Sequence, residues 1–499
     1  MNVRGPRRTL NPALQHTIPQ QDIWHKKLIL CRFFTSQNTS YSTYATPRTA
    51  SEIPCVKQIP LLKNIVPVEL ILNGGAQKLH EFIDNRHKQL GPIFREQLGP
   101  ITSIFVSEAS DMRKIFANEG KYPKHVLPEA WLLYNQIKKY KRGIYFMDGE
   151  EWFECRKILN QILLKNFHIT PQVSDFFTKY FDTWNENLNN GEIMDLEKRL
   201  YNLSIIFMIL HLMGDSCITQ AKTFTPMANK LASVVGEIFQ WSVKLSTVPV
   251  SLAKSCGLKS WKNFVSSVDE SIKISSDLLD TMNNLNWGNG IIREMIENGI
   301  SGDSLRNIVV DFILAAGDTT ATASQWTLYL LALNKDVQEK IFHELKHQDN
   351  YENVPLLKNS IRESMRLYPV APFITRYLPT NTNIGKYTIA AGELISMSMY
   401  TCSRNEQYFP EANKFNPNRW IRSTGKSQYE MVTDPYATLP YSLGSRGCIG
   451  KKLAQTQLIL TIGKIISTYE LRVINRVGIK LNLITVPSEP VRLHIKKRK

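Results

Sequence analysis

Between about residue 70 and residue 370 the apolar positions recur every three or four residues, the spacing of amphipathic helices. The clearest run starts near Ser304. Leu305, Ile308, Val309, Phe312, Ile313 and Ala316 fall on one face, and the pattern continues to about Leu345, predicting one long helix in the middle of the core. From 371 to 445 the pattern changes to alternation: "RYLPTNTNIGKYTIAAGELISMSMY" is rich in β-branched residues, carries turn glycines and predicts short strands. Helical spacing returns after Cys448 with "KKLAQTQLILTIGKIIS". The "IPCVKQIPLLKNIVP" stretch, punctuated by prolines, predicts an extended surface linker. The expected class is therefore mainly α with a small β region, in a domain spanning 70–499 after a linker at 46–69.

The first 51 residues are of another kind. They hold seven basic residues and one acid, are rich in Ser and Thr, and contain no long apolar run, since "LILCRFF" is interrupted by Arg32. That argues against a membrane span and an apolar signal sequence, and it matches the composition of an organellar transit peptide, placed at 1–45, with a disordered basic tail as the alternative. The Arg32-Phe33-Phe34 stretch resembles a mitochondrial processing site. The leader carries +6 of the chain's net +17. Such a charge suits nucleic acid, an anionic membrane or an acidic partner. Its clustering in the leader and near Cys448, with no recognisable binding module, argues against nucleic acid.

Seven cysteines are widely spaced and form no CxxC pair, which argues against a disulfide framework and a zinc ribbon; nearly all are expected to be small buried thiols. Cys448 stands apart, in "YSLGSRGCIG". Glycines let the backbone approach a flat ligand, the following helix start stabilises a thiolate, and Arg446 offers a fork to a carboxylate. One thiolate on such a loop meets the needs of a single axial haem ligand, whereas an iron–sulfur cluster takes about four cysteines. Elsewhere, "LAAGDTTATASQW" puts Gly317, Asp318, Thr319 and Thr320 into the long apolar helix. This is either a polar kink beside a water pocket or a proton relay. Glu363 and Arg366 share a helix face, a spacing expected about once by chance in a chain of this size. Arg419 in "FNPNRW" reads by itself as a surface residue.

Together, and in this order, these motifs resemble the cytochromes P450, the haem-thiolate monooxygenases, over roughly residues 55 to 495. Gly444, Arg446, Cys448 and Gly450 match the signature of that family, with Tyr441 where Phe is usual. The resemblance implies the P450 fold, with haem b held between the long mid-chain helix and the helix after the cysteine, and Cys448 as the iron ligand. It implies a structural lock of Glu363, Arg366 and Arg419. Trp152 and Arg156 of "EWFECR", with Arg376 and Arg446, are implied to contact the haem propionates. Asp318 and Thr319 are the implied proton donors, with Ala316 where a second glycine is usual. "LLKNSIRESMR" and "ITRYLP" are similar to the mitochondrial branch, which implies an adrenodoxin-like ferredoxin docking on Lys358, Arg362, Lys451 and Lys452. That branch also implies peripheral association with the inner mitochondrial membrane from the matrix side. The whole looks closest to arthropod ecdysteroid hydroxylases, implying O2-dependent hydroxylation of a steroid, at C2 of 2-deoxyecdysone. Another hydrophobic substrate, or a non-catalytic haem protein, are the alternatives. Trp131, Leu132, Phe312, Ala316, Val370, Phe373 and Ile374 are the expected substrate-pocket residues. "FTPMANKLASVVGEIFQWSVKL" is left as either a membrane-dipping segment or core.

Overall fold

The computed structural model describes residues 48–498 apart from 57–67, 100, 141–142, 165–169, 185–187, 215–217, 220, 247, 286–287, 349, 423–428 and 430. The leader expected at 1–45 lies outside the described residues. Helices α1 (Gly149–Leu163), α2 (Leu196–Met213), α3 (Ala221–Leu245), α4 (Lys259–Asn284), α5 (Gly302–Leu333), α6 (Pro355–Leu367) and α7 (Lys451–Thr468) share one apolar core.

Helix α5 lies at its centre and packs on α2, α4, α6 and α7. Ser301 precedes it in extended conformation, and Asp303 in the first turn complements the positive helix end. It is shorter than its apolar periodicity predicts. Asn334, at ψ 75°, leaves helical geometry and its side-chain amide donates to the Leu330 carbonyl at 2.8 Å. A second helix, Lys335–Leu345, then carries the pattern on. Periodicity alone does not register a one-residue break that keeps the apolar face in phase.

The sheet nearest the site joins β1 (Ile93–Leu98), β2 (Ile101–Val106), β3 (Phe373–Tyr377) and β4 (Leu394–Ser398) in the order β1-β2-β4-β3. Strands β2 and β4 are parallel, with Ile104 opposite Ile395, and β3 is antiparallel to β4, with Arg376 opposite Ile395. Ile104, Val106, Ile374, Ile395 and Met397 build a second core beneath it. The β1–β2 hairpin falls where the sequence reads as helix. Its strands are six residues each, too short for alternation to outweigh the surrounding helical spacing. Beyond α7, strands Tyr469–Val473 and Leu493–Lys497 and a hairpin of Ile479–Asn482 with Ile484–Pro487 were also not foreseen.

Residues 48–56 belong to the expected linker but dock on the sheet instead. Arg48 bridges Tyr387, Cys55 bridges Arg95, and Ile53 is buried. Helix α3 resolves its open question towards core: Phe224, Ala228, Leu231, Val235 and Ile238 are buried. Among the described residues no helix is long and apolar enough to cross a membrane. The expectation of buried thiols fails for Cys55 and Cys256, which are exposed, and holds for Cys402.

Candidate active site

Helix α6 supplies the anchor for the loop that carries Cys448. Pro355 starts it, and the three-residue spacing sets Glu363 and Arg366 on one buried face. Both are fully buried, and Arg366 grips Glu363 with Nε at 2.9 Å and Nη2 at 2.8 Å. Arg419 Nε donates to the same carboxylate at 2.8 Å, as does Trp420 Nε1 at 3.0 Å. Arg419 is thus a core residue, against its surface reading in isolation. Two guanidiniums share one carboxylate here. The remaining donors reach carbonyls, Arg366 to Ser403 and Ala412 at 2.7 and 2.6 Å, and Arg419 to Pro410 at 2.9 Å. Satisfied donors are what make a buried charged cluster tolerable.

The cysteine loop closes on itself. The Cys448 amide donates to the Tyr441 carbonyl at 2.8 Å, and Gly447 to Gly444 at 3.0 Å. Gly444 adopts φ 74°, and a Cβ there would lie 1.9 Å from Glu119 Oε1, so only glycine fits. Helix α7 begins at Lys451, directing its N-terminal end towards the cysteine. Burial raises the Cys448 thiol pKa, while the Gly450 amide, Arg156 and Lys451 pull it back. The residue nevertheless retains an exposed surface. Within the mostly buried α5, Ala315 and Thr319, one turn apart, are exposed in the same way.

Cations gather beside the loop. Trp152 and Arg156 lie four apart on α1; Trp152 is buried under the Arg446 guanidinium, 3.9 Å from its ring centre. Arg156 Nη2 donates to the Gly447 carbonyl at 2.5 Å. Arg446 donates to the carbonyls of Pro123 and Met147, both at 2.9 Å, and burial brings its pKa down to about 10. Arg376, on β3, pairs with Glu119 at 2.6 Å and reaches the Leu443 carbonyl at 3.2 Å. Glu119 also accepts from the Ser445 amide at 3.0 Å. His125 sits near Arg446 and Arg376 with a buried Nε2 that has no partner among the described residues. Burial, reinforced by those two arginines, lowers its pKa to about 4.

On α5, the Thr319 hydroxyl donates to the Ala315 carbonyl at 2.9 Å. Asp318 carries a buried carboxyl oxygen with no partner among the described residues. Burial first, and then Glu197, raises its pKa to about 8. Burial thus favours its protonated form, and a carboxylic acid so placed can give a proton.

A family profile described as cytochrome P450 matches residues 54–496. The chain belongs to the cytochrome P450 family. It is 34% identical over 471 residues to "Cytochrome P450 315a1, mitochondrial" of Drosophila melanogaster, covering 89% of this chain and 88% of that one. It is 27% identical to mouse "1,25-dihydroxyvitamin D(3) 24-hydroxylase, mitochondrial", over 94% of this chain and 89% of the relative. With the "Cholesterol side-chain cleavage enzyme, mitochondrial" of Mesocricetus auratus it shares 25%, over 85% and 86%.

As a P450 the protein binds haem b and is a haem-thiolate monooxygenase. Its residues fit that group. Cys448 has an exposed surface, and Arg156 has no carboxylate partner among the described residues. The orphaned His125 nitrogen and three guanidiniums suit two propionates. When bound, haem b activates O2 with two electrons delivered singly.

The other expected residues are placed as follows in the P450. Trp131 is buried edge-on to Phe264 at 5.4 Å, a core contact between helices, whereas Leu132 is exposed. Phe312 is buried on α5, with Ala316 and Val370 half-buried. Side chains alternate along β3, so Phe373 and Ile374 face opposite ways. Ile374 shares the face of Arg376, and Phe373 packs 5.9 Å from Phe105, away from that face. Lys358, Lys451 and Lys452 are exposed. Arg362 departs from its expected role as a projecting cation: its guanidinium lies 3.8 Å from the Trp420 ring centre and donates to the Tyr429 hydroxyl.

Glu119, His125 and Tyr201, which packs on Gly317, were missed. For Tyr201 a signal existed, since a glycine inside a helical pattern often marks a close neighbour. Glu119 and His125 carry no local pattern, and the Glu119 partners Arg376 and Ser445 lie hundreds of residues away.

Proposed function

We propose that this P450 is a mitochondrial steroid hydroxylase that acts on 2-deoxyecdysone at C2 and receives electrons from an adrenodoxin-like ferredoxin. The observation that carries the steroid reading is alignment over nearly the whole chain with mitochondrial P450s, two of them named for cholesterol and a vitamin D compound. The resemblance of "TLPYSLGSRGCIGKKLAQTQ" to arthropod ecdysteroid hydroxylases narrows it to the moulting steroids. The basic, acid-poor leader supports import into the matrix.

In this reading Cys448 would bind the haem iron, and Arg156, Arg376, Arg446, Trp152 and His125 would hold the propionates. Gly450 leaves open space beside the loop, as no atom lies within 4 Å of a Cβ there. Asp318 would hold the proton and the Thr319 hydroxyl, on the next residue, would orient its passage. Phe312, Ala316, Val370 and Ile374 supply apolar surface for the steroid. Lys358, Lys451 and Lys452 face the ferredoxin. Exposed Ile71, Leu72, Leu252 and Leu258 provide apolar surface for peripheral membrane contact.

The test is turnover of a panel of ecdysteroid precursors with ferredoxin and its reductase, products being identified by mass spectrometry and NMR. A C2 hydroxyl on 2-deoxyecdysone is expected. Hydroxylation at another carbon, or turnover only of unrelated apolar compounds, overturns the assignment of substrate.

A further inference from the structure

Asp318 must regain a proton after each one it gives up, and one side of the helix next to it is covered by α2. Gly317 has no side chain, and a Cβ there would lie 2.5 Å from Tyr201 Cζ and 2.8 Å from its hydroxyl. The phenol therefore rests directly on the α5 backbone next to Asp318. The Tyr201 hydroxyl and Asp318 Oδ2 are both buried, and neither has a hydrogen-bond partner among the described residues. Two neighbouring orphan groups of this kind are costly unless a trapped water joins them. One turn back on α2 stands Glu197, on the same helix face as Tyr201 and within electrostatic reach of Asp318. Glu197 has an exposed surface and lies near the Lys480 ammonium.

We propose that Glu197 and Tyr201 form the route by which protons from solvent reach Asp318. The relay conserves charge and involves no electrons. Asp318 releases its proton past Thr319 and is left as carboxylate. Through a trapped water the Tyr201 hydroxyl passes its proton to that carboxylate, while through a second water its oxygen accepts one from the Glu197 carboxyl, and Glu197 is reprotonated by bulk water. Tyr201 is unchanged at the end of the cycle. The helix pair supplies a polar path in an otherwise apolar interface, and the missing side chain at 317 keeps it short.

The inference rests on the proton-donor role given to Asp318 above, and the test separates the two. In the ferric holoenzyme near pH 7, infrared spectroscopy should show the C=O band of a buried carboxylic acid that Asp318→Asn abolishes. Tyr201→Phe should shift that band and slow its exchange in D2O at least tenfold. Glu197→Gln should leave the band in place and slow its exchange by a similar factor. Gly317→Ala, which pushes the phenol away, should do the same as Tyr201→Phe. Under turnover, Tyr201→Phe should lower product formed per NADPH about fivefold and raise the solvent isotope effect, with substrate binding unchanged. Wild-type exchange in both Tyr201→Phe and Glu197→Gln overturns the route. If Asp318→Asn alone uncouples turnover, the donor role stands without it; if no band depends on Asp318, both fall.

Discussion

Two residues of the site carry a polar group that the fold leaves without company, and each makes a distinct prediction. Tyr441 occupies the position where related loops carry Phe, and its hydroxyl is buried with no partner among the described residues. A buried orphan hydroxyl costs roughly 1–3 kcal/mol. Tyr441→Phe should therefore stabilise the haem-loaded protein by about 1 kcal/mol. Thermal denaturation measures this, and the spectrum of the reduced carbon monoxide complex should be unchanged. Destabilisation would mean that the hydroxyl is engaged. Asp318 has the larger penalty. Its folded pKa of about 8 lies above the unfolded value, so the native state keeps a proton that the unfolded chain loses. That contribution to stability is fully present below about pH 4 and is lost as pH rises towards 8. Asp318→Asn removes this decline. The variant should gain on wild type progressively across that window, on the order of 5 kcal/mol at its upper end, while losing coupled turnover. Denaturant titrations at several pH values check the sign, and a constant difference across the window would contradict it.

At the scale of elements, the α6 anchor decides whether the cysteine loop has anything to rest on. Glu363→Gln leaves two buried guanidiniums facing a neutral amide, and breaking such a cluster costs roughly 3–5 kcal/mol. We expect protein that fails to retain haem, read as loss of the Soret band together with a lowered denaturation midpoint; a stable, haem-loaded variant would show that the carbonyl contacts suffice. The pattern of this anchor also explains what could be read from the sequence. Glu363 and Arg366 are neighbours by helical spacing, and the Gly444–Gly450 loop is contiguous, so both were legible as strings. Arg419 gained meaning only from its order after them. Glu119 and His125 were not legible, because Arg376, Ser445 and Arg446 lie far along the chain and no local pattern marks the contact. The break at Asn334 and the short β1–β2 hairpin escaped for a related reason: periodicity reports which face is buried, and both features preserve or barely interrupt it.

Across the whole molecule, Lys358 on α6 and Lys451 and Lys452 on α7 are exposed on elements that hold the cysteine loop. An acidic ferredoxin would meet this cationic face, and complementarity of that kind acts mainly on encounter rate and orientation. The structure separates two residues that share a helix face in sequence. Arg362 is clamped over Trp420, whose indole donates to Glu363 at 3.0 Å, so Arg362→Glu should disturb the anchor itself. Lys358 has no ion pair among the described residues and tests docking alone. Lys358→Glu should slow ferredoxin-supported turnover several-fold at low ionic strength, and the deficit should shrink as salt rises and the Debye length falls to about 8 Å at 0.15 M. Substrate binding, read from the haem spectrum, should not move. Turnover equal to wild type at low salt would place the ferredoxin elsewhere, and a deficit that persists unchanged in high salt would trace to structure and not to charge.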